Sequence, residues 1–503
     1  MFSIKAIKNI IYYYIIILYL IMYNKICKNL SFNDCELAIA RQAVDKIDAK
    51  IGRQIVQSPE IKQIINIVEQ FLKTKKCLCY GGTAINNILP KYDQFYNKDI
   101  EIPDYDFFSD NALNYAKELA DIYASKGFNE VEAKAGMHHG TYKVFVNFIP
   151  VADITYIPSE LYKILHKDSI KISGIYYVPA NYLRMSMYLE LSRPEGDVSR
   201  WEKVLKRLIL LNKTYPLKGI KCSELNFQRK MEDDTNNKLI YTTVLNTFID
   251  QSAVFFGGYA INWYSKYMLK KEKHQLKEIP DFDVLFEEPE ILAEILKENL
   301  KNVGLNKIIV RKHKAIGELV PINYEIIVNK ETIAFIYKPI ACHSYNIVRK
   351  NNIPIRIATI DTLLSLYLAF TYVDEPYYDK NRILCMCEYL FNVQAQNRLS
   401  QKGLLKRFTM SCIGKQLKKE DIRSEKNNKY AELKNKPNSK EYQEWFLKYT
   451  PVTKQTEKES PKNDEKAEKC RKTVKHTKTQ NKTHKNKTHK NKTHKTKNIF
   501  DIF

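Results

Sequence analysis

Apolar residues recur at spacings of three and four positions from Phe32 to about Leu72. That period puts them on one face of a helix, so the pattern predicts helical structure there. A short apolar run at 76–80 is typical of a buried strand, and two glycines end it. Helix and strand patterns then alternate as far as residue 156, with one strand expected at 101–108. This order predicts an α/β or α+β fold.

The same order of patterns recurs about 176 residues further along the chain. VFFGGYAINWY, which begins at Val254, is similar to CLCYGGTAINN, which begins at Cys77, and EIPDFD at Glu278 is similar to EIPDYD at Glu101. A stretch of about 100 residues is therefore duplicated, and two copies are too few for a solenoid. We expect two related domains in tandem, each a mixed sheet flanked by helices.

The repeat and the composition divide the chain into five predicted segments. They are an apolar amino-terminal segment at 1–31, a first domain at 32–179, a helical connector at 180–240, a second domain at 241–449 and a Lys-rich tail at 450–503. In the tail, THKNK recurs at five-residue spacing almost without apolar residues. That composition cannot build a core, so we expect the tail to be disordered.

The amino-terminal segment contains 13 apolar residues in a row, from Ile10 to Met22. A membrane-spanning helix needs about 20, and no small-residue cleavage site of a signal peptide follows. Two interpretations are open, a mis-assigned start with Met22 as the first residue and a weak anchor. We favour the mis-assigned start, and we expect no stable membrane association.

Charge and cysteine usage indicate the kind of partner and the compartment. The net charge of +24 favours a polyanionic partner, although an AT-rich genome would account for part of the lysine excess. The pairs Cys77/Cys79 and Cys385/Cys387 lie in apolar runs, where a spacing of two is typical of one face of a strand. We expect buried thiols in a reducing compartment and no structural zinc.

Three aspartates are the candidate metal ligands of the first copy. Asp104 and Asp106 are two residues apart on a predicted strand, so their side chains share one face about 7 Å apart. Asp153 interrupts the apolar strand VADITY, and an unpaired buried carboxylate there would cost several kcal/mol. Carboxylates in this pattern suit one or two Mg²⁺ ions that also bind substrate phosphates. The pattern predicts two-metal catalysis of displacement at phosphorus.

The glycine pair Gly81 and Gly82 is the candidate triphosphate site. Glycines allow the backbone to approach a phosphate closely, and the N-terminus of the helix that follows favours an anion. Thr83 adds a hydroxyl donor. A Gly-Gly turn or a D-x-D strand end alone is common in proteins without such a role. Their occurrence together and in this order indicates a catalytic site.

These motifs resemble a known superfamily. Gly-Gly-Thr opening a helix, two aspartates on the next strand and a third on a later strand resemble the polymerase-beta-like nucleotidyltransferases. EIPDYDFF, VADITYI and SRWEKVLKRL are similar to the poly(A) polymerase catalytic subunit of large cytoplasmic DNA viruses of the poxvirus and mimivirus type. The resemblance covers about 33–390 and implies two tandem nucleotidyltransferase-like domains, the first of them catalytic.

The resemblance also implies an activity and its cofactors. Asp104, Asp106 and Asp153 would bind Mg²⁺ or Mn²⁺, with Gly82 and Thr83 at the triphosphate. ATP would be the donor, an RNA 3′ end the acceptor and pyrophosphate the leaving group in template-independent polyadenylation. Implied partners are a second copy or a viral processivity subunit, in the host cytoplasm or the virion. A CCA-adding or oligoadenylate-forming enzyme and a non-catalytic RNA-binding scaffold are the alternatives.

The second copy lacks part of the predicted chemistry. It keeps the glycine pair and both strand carboxylates, which are Gly257, Gly258, Asp281 and Asp283. Tyr259 stands where the first copy has Thr83, and Phe335 aligns with Asp153. Without a third carboxylate we expect poor metal binding. We interpret this copy as a degenerate domain kept for packing and RNA binding, with its aspartates as remnants.

A basic helix at 199–210 has two possible roles. It carries four cations on nearby turns, which are Arg200, Lys203, Lys206 and Arg207. They could neutralise phosphates, or they could form an ordinary solvated face around a buried Trp201. The sequence alone leaves both interpretations open.

Overall fold

A computed structural model describes residue 27 and residues 29–229, 237–270, 273, 277–317, 319–397 and 400–452. The apolar run at 10–22 and nearly all of the predicted Lys-rich tail lie outside the described residues. The described helices are α1 Phe32–Gln57, α2 Pro59–Lys75, α3 Gly81–Ile88, α4 Ala112–Ser125, α5 Ser159–Lys167, α6 Ala180–Leu191, α7 Trp201–Thr214, α8 Asn237–Asp250, α9 Gly257–Ser265, α10 Pro289–Asn302, α11 Ile360–Phe370, α12 Lys380–Gln396, α13 Lys419–Leu433 and α14 Lys440–Phe446.

The strands fall into two groups along the chain. Those of the first half are β1 Leu78–Cys79, β2 Tyr105–Ser109, β3 Val131–Ala135, β4 Thr141–Val146, β5 Ile149–Tyr156, β6 Ile170–Ile172 and β7 Ile175–Tyr177. Those of the second half are β8 Val254–Phe256, β9 Phe282–Leu285, β10 Ile308–His313, β11 Asn323–Val328, β12 Glu331–Tyr337, β13 His343–Lys350, β14 Ile353–Ala358, β15 Cys412–Ile413 and β16 Lys448–Tyr449.

Two mixed sheets of eight strands form the frame of the molecule. The first has the order β16-β3-β4-β5-β2-β1-β7-β6, and the second β10-β11-β12-β9-β8-β14-β13-β15. From β3 to β6 the strand order matches that from β10 to β13, including the parallel pairs β2–β5 and β9–β12. The predicted class, two mixed sheets flanked by helices, is confirmed, and the duplication in the sequence corresponds to a duplication of topology.

The chain returns to the first sheet after completing the second. The short strand β16 pairs with β3, with Lys448 opposite Lys134. The ring centroids of Trp445 on α14 and His139 are 4.3 Å apart. The predicted second domain extended to residue 449, whereas these residues form an edge of the first sheet. The Lys-rich tail therefore follows directly from that edge.

Two local expectations are wrong. The strand expected at 101–108 begins only at Tyr105. Cys385 was expected to be a free thiol on a strand, but it lies in α12 and forms a disulfide with Cys222. Short apolar runs are ambiguous because a buried helix and a buried strand are both apolar all round. The other three cysteines of the C-x-C pairs are free and buried, as expected, namely Cys77, Cys79 and Cys387.

None of the helices in the described part of the chain has the length and apolar character that crossing a membrane requires.

Candidate active site

The parallel pairing of β2 with β5 brings two of the predicted ligands side by side. Asp106 and Asp153 are register partners across this pair, so their side chains leave the sheet on the same face. Tyr105 points to the other face, where its hydroxyl donates to Glu69 Oε1 at 2.7 Å. Asp104 precedes β2 by one residue and shares the face of Asp106. The structure therefore brings all three predicted carboxylates together.

Burial and mutual repulsion dominate the electrostatics of this cluster. Burial, and then the charges of Asp104 and Asp153, raise the pKa of Asp106 to about 8. Burial and the charge of Asp153 raise the pKa of Asp104 to about 6. Oδ1 of Asp104 and Oδ1 of Asp153 are buried, and no described residue donates a hydrogen bond to either. Because unpaired buried carboxylates are costly, the cluster fits a bound cation.

The carboxylates of Asp104, Asp106 and Asp153 offer hard oxygen ligands, which Mg²⁺ and Mn²⁺ prefer. Within the described ranges, Glu195, Cys342 and Cys412 form a group of three potential ligands whose donor atoms all lie within 4.8 Å of one another. Cys342 and Cys412 are joined in a disulfide, so their sulfurs are not available as thiolate ligands. The three aspartates do not form a group of that kind. In a magnesium site that also binds substrate, phosphate oxygens supply part of the coordination.

Lys143 is a site residue that the sequence reasoning missed. It is the register partner of Asp153 across the antiparallel pair β4–β5, and its Nζ pairs with Asp153 Oδ2. This ion pair leaves Oδ1 of Asp153 as the unpartnered oxygen. The signal that could have found it is the alternation in TYKVFV, which puts Thr141 and Lys143 on the polar face of β4.

The two glycines are required by close approaches on both sides of the turn. Gly81 has a φ of +73°, and a Cβ there would lie 2.5 Å from Asp106 Oδ2. A Cβ on Gly82 would lie 2.7 Å from the Tyr96 hydroxyl oxygen and 3.0 Å from an Arg207 nitrogen. The glycine pair therefore brings the start of α3 against the carboxylates on one side and a guanidinium on the other. Thr83, the next residue, is buried.

The four cations of the basic helix have different surroundings. Arg207 is buried at the glycine turn, where its guanidinium lies 4.8 Å from the Phe95 ring centroid and donates to the Tyr96 hydroxyl at 2.6 Å. Arg200 lies 3.2 Å from Glu190 Oε1 and opposes the rise in the pKa of Asp106.

The other two cations, Lys203 and Lys206, differ in their burial. Burial, and then the charges of Arg207 and Arg200, lower the pKa of Lys203. Lys203 is three residues from Arg200 and four from Arg207, so the three cations share one face of the helix. Lys206 is exposed and pairs with Glu202 at 2.6 Å. Lys206 thus lies on a solvated face, whereas Arg207, Arg200 and Lys203 lie closer to the glycine turn and the carboxylates. Their role in neutralising phosphates stays a prediction.

The second copy has the same backbone frame with different side chains. Gly257 has a φ of +70°, and a Cβ there would overlap Asp283 Oδ2, as at Gly81 and Asp106. Phe335 is the register partner of Asp283 across the parallel pair β9–β12. It thus occupies the position of Asp153, as the alignment of the two copies predicted.

A cation from the connector occupies this second site. The Arg229 guanidinium pairs with Asp281 Oδ1 and lies 3.6 Å from Asp283 Oδ1. The Arg229 backbone N–H also donates to Asp281 Oδ2 at 2.9 Å, and its guanidinium lies 4.9 Å from the Phe335 ring centroid. Burial raises the pKa of Asp283, and the charge of Arg229 opposes that rise. Asp281 and Asp283 are therefore partners in a buried ion pair rather than idle remnants.

Comparisons with known proteins agree with the motifs of the first copy. A family model described as the poly(A) polymerase catalytic subunit matches residues 66–197. A protein of African swine fever virus (isolate Pig/Kenya/KEN-50/1950), named as a poly(A) polymerase catalytic subunit, is 32% identical over 180 residues, or 35% of this chain and 38% of the relative. A protein of the same name from Acanthamoeba polyphaga mimivirus is 32% identical over 181 residues, or 34% of this chain and 30% of the relative.

These matches confirm the predicted resemblance over the segment that contains the glycine pair and all three aspartates. The chain spans well under half the length of the curated relatives that it matches. The crystal structure of the Megavirus polyadenylate synthase superposes with a TM-score of 0.71 at 20% identity, covering 86% of this chain and 88% of that one. The fold is therefore shared well beyond the segment of sequence similarity.

Proposed function

We propose that this protein is a template-independent nucleotidyltransferase that adds AMP from ATP to RNA 3′ ends. The observation that carries the proposal is the register pairing of Asp106 with Asp153 beside Asp104. This cluster has two buried carboxylate oxygens without a described partner, and it lies in the segment that matches poly(A) polymerase catalytic subunits.

The three aspartates would hold one or two divalent ions, Mg²⁺ or Mn²⁺. When bound, such ions stabilise the charge on the attacking and leaving oxygens of a displacement at phosphorus. Asp153 forms an ion pair with Lys143. It is the carboxylate that we place nearest the RNA 3′-hydroxyl. Burial, and then repulsion from the neighbouring carboxylates, raise the pKa values of Asp104 and Asp106, and a divalent cation would oppose both effects.

The glycine turn and the basic helix would bind the triphosphate together. The backbone N–H groups of Gly81, Gly82 and Thr83 open α3, and a helix N-terminus favours an anion. Arg207 lies against Gly82, and its planar guanidinium suits bidentate phosphate binding. Its stacking on Phe95 restricts the guanidinium to one orientation, so little ordering is needed when a phosphate arrives.

Partners and location follow from the same proposal. RNA would be the acceptor, which agrees with the net charge of +24, and the second copy would contribute packing and RNA binding. A second copy of the chain or a processivity subunit would complete the assembly, because the relatives are named as catalytic subunits. We place the activity in the cytoplasm of a virus-infected cell or in the virion. The proposed domains are 32–179 and 241–449, except that β16 at 448–449 belongs to the sheet of the first domain.

The test is an extension assay with a labelled oligoribonucleotide, Mg²⁺ or Mn²⁺, and each nucleoside triphosphate in turn. Extension with ATP alone would support the proposal, and the Asp104→Asn/Asp106→Asn double variant is the control for contaminating activity. Addition of a short tail that needs both CTP and ATP would favour a CCA-adding enzyme. Products without a primer would favour an oligoadenylate-forming enzyme. Binding of RNA without extension by any nucleotide would favour a scaffold.

A further inference from the structure

Three hydroxyl groups form a hydrogen-bonded chain on the face of the first sheet that carries the three aspartates. The Tyr80 hydroxyl lies 2.9 Å from Thr155 Oγ1, which lies 3.1 Å from Thr141 Oγ1. Thr155 and Thr141 are register partners across β4–β5, as Asp153 and Lys143 are. Because side chains two residues apart on a strand share a face, this hydroxyl chain lies directly beside Asp153.

The ring of Tyr80 is fixed over the sheet. It stacks on Phe108 with 3.9 Å between the ring centroids and 8° between the ring planes. The Tyr80 backbone N–H donates to the Asp106 carbonyl oxygen at 2.9 Å. Phe108 and Thr155 are register partners, so the stacked ring carries its hydroxyl from β1 across β2 to β5. A side chain held in this way loses little further freedom when a ligand binds.

The hydroxyl chain has capacity for one more hydrogen-bond partner. Each of its three members has one proton to donate and lone pairs that accept. Its two links use two of the three protons. The side chains of Tyr80, Thr141 and Thr155 are all partly exposed. The remaining proton can therefore bind a ligand on the face that carries the carboxylates.

The second copy keeps the sheet without the hydroxyl chain. Phe256, which has no hydroxyl, precedes its glycine pair where Tyr80 precedes the first pair. The register partners Asn323 and Tyr337 take the places of the two threonines, and the Tyr337 hydroxyl lies 2.8 Å from that of Tyr378. The copy that lacks the third carboxylate thus also lacks the chain, although its strand order is the same. A mixed sheet of this kind therefore forms without the hydroxyl chain, which favours a role in the site.

The order of the strands places the hydroxyl chain on the acceptor side of the proposed site. The glycine turn follows β1, and β2, β5 and β4 lie beyond β1 in that order. Asp153, which we place nearest the RNA 3′-hydroxyl, is on β5. Thr155 lies two residues further on, about 7 Å along the same face. The ribose group next to the 3′-hydroxyl is the 2′-hydroxyl, which both donates and accepts hydrogen bonds.

We propose that the hydroxyl chain of Tyr80, Thr155 and Thr141 binds the 2′-hydroxyl of the acceptor's terminal ribose and selects RNA ends over DNA ends. The proposal rests on the proposed function and deepens it, since it assigns the choice of acceptor sugar to side chains outside the metal site. A site that hydrogen-bonds a substrate hydroxyl rejects the analogue without it, because the polar groups of the site are then left unpaired.

The test is extension with ATP of two oligoribonucleotides that differ only in their last sugar, which is ribose or 2′-deoxyribose. We expect the wild-type chain to extend the ribose end at least roughly tenfold faster. Thr155→Val removes the central hydroxyl at nearly constant volume and should lower that preference by roughly five- to tenfold. Thr155→Ser should restore the preference, and Tyr80→Phe, which keeps the ring stack, should give an intermediate value.

The matched control is Tyr156→Phe, which removes a hydroxyl from the opposite face of β5. Tyr156 is 51% exposed, and its variant should keep the wild-type preference. Thermal unfolding of each variant shows whether it is folded. If Thr155→Val does not fold, the comparison of Tyr80→Phe with wild type decides the question in the same assay.

The outcomes separate this inference from the proposed function. Equal wild-type rates on the two primers would overturn the inference alone. Equal losses on both primers in Thr155→Val would give the hydroxyl chain a purely structural role and would also overturn it. A changed preference for ATP over 2′-deoxy-ATP, with the primer preference unchanged, would assign the chain to the donor ribose instead. Extension of neither primer by the wild-type chain would overturn the proposed function and the inference with it.

Discussion

Arg229 forms a buried ion pair with Asp281, at a site that repeats the backbone of the carboxylate cluster in the first sheet. In the first sheet, a buried oxygen of Asp104 has no described partner. The two sites share a glycine with positive φ against a strand aspartate, and they differ in charge balance. In the second site Arg229 pairs with both strand carboxylates, whereas in the first site Lys143 pairs with Asp153 and leaves Asp104 without a described partner. That difference separates the proposed catalytic copy from the other.

Asp106→Asn should abolish nucleotide addition while RNA binding and folding stay nearly unchanged. The substitution removes one candidate metal ligand and keeps the side-chain volume, so its effect falls on transition-state stabilisation. The measurement is primer extension alongside RNA affinity and thermal unfolding of the same preparation. Parallel loss of RNA binding would contradict the assignment of Asp106 to the metal site.

Gly81→Ala should reduce nucleotide addition by at least roughly a hundredfold, because a Cβ at 2.5 Å from Asp106 Oδ2 must displace that carboxylate. The matched control is Gly127→Ala, whose φ of +94° is also one that L side chains rarely adopt but whose Cβ would meet nothing within 4 Å. The control should lose about 1 kcal/mol of stability and keep its activity. Equal activity loss in both variants would mean that backbone strain alone is responsible.

Lys143→Met should reduce nucleotide addition by roughly 10–100-fold, the usual effect of losing a residue that orients a metal ligand. Without the ion pair to Oδ2, Asp153 is free to turn its unpartnered Oδ1 away from the cluster. We expect a higher concentration of Mg²⁺ for half-maximal rate, and partial rescue by Lys143→Arg. A lower rate at an unchanged Mg²⁺ requirement would instead place Lys143 on the substrate.

The sequence predicts the clustering of the three carboxylates because each of them lies in a recognisable strand pattern. Spacing along one strand places Asp104 and Asp106 together, and the apolar context of Asp153 identifies a second strand in the same sheet. Arg207 was ambiguous because a basic helix looks alike whether it faces solvent or a glycine turn. Arg229 had no signal, since it lies in an irregular segment without periodicity and belongs to none of the motifs that the two copies share. The two-residue strand β16 likewise has no periodicity from which its return to the first sheet could be predicted.

Removing the tail should weaken RNA binding and flatten its dependence on salt. Residues 454–498 contain 16 Lys or Arg against 5 Asp or Glu. A chain without them contacts fewer phosphates, so fewer counterions are released from the RNA when it binds. A chain that ends at Val452 keeps β16 and therefore the edge of the first sheet. The measurement is RNA affinity across a salt series. A full-length chain with the tail lysines changed to glutamine should behave as the truncated chain does, and an unchanged slope in both would mean that the tail serves another partner.

Asp281→Asn with Asp283→Asn should leave nucleotide addition per folded molecule within several-fold of wild type, but it should lower stability. Repulsion between two unpaired carboxylates would have predicted a gain in stability. The ion pair with Arg229 turns this expected gain in stability into a loss, because the double variant leaves the largely buried Arg229 without its counter-charges. Removing one side of a buried pair costs about 3–5 kcal/mol. Urea unfolding followed by tryptophan fluorescence measures that loss.

The matched control for this variant adds Arg229→Met to the two asparagines, which removes the cation together with its partners. The triple variant no longer buries an unpaired charge, which is the costly part of breaking a buried pair, so it should recover part of the lost stability. Methionine also keeps an unbranched side chain over the Phe335 ring. Failure of the triple variant to recover would show that the aspartates act through something other than Arg229. Loss of nucleotide addition in a folded double variant would show that the second site takes part in catalysis, contrary to the assignment made from Phe335 and Arg229.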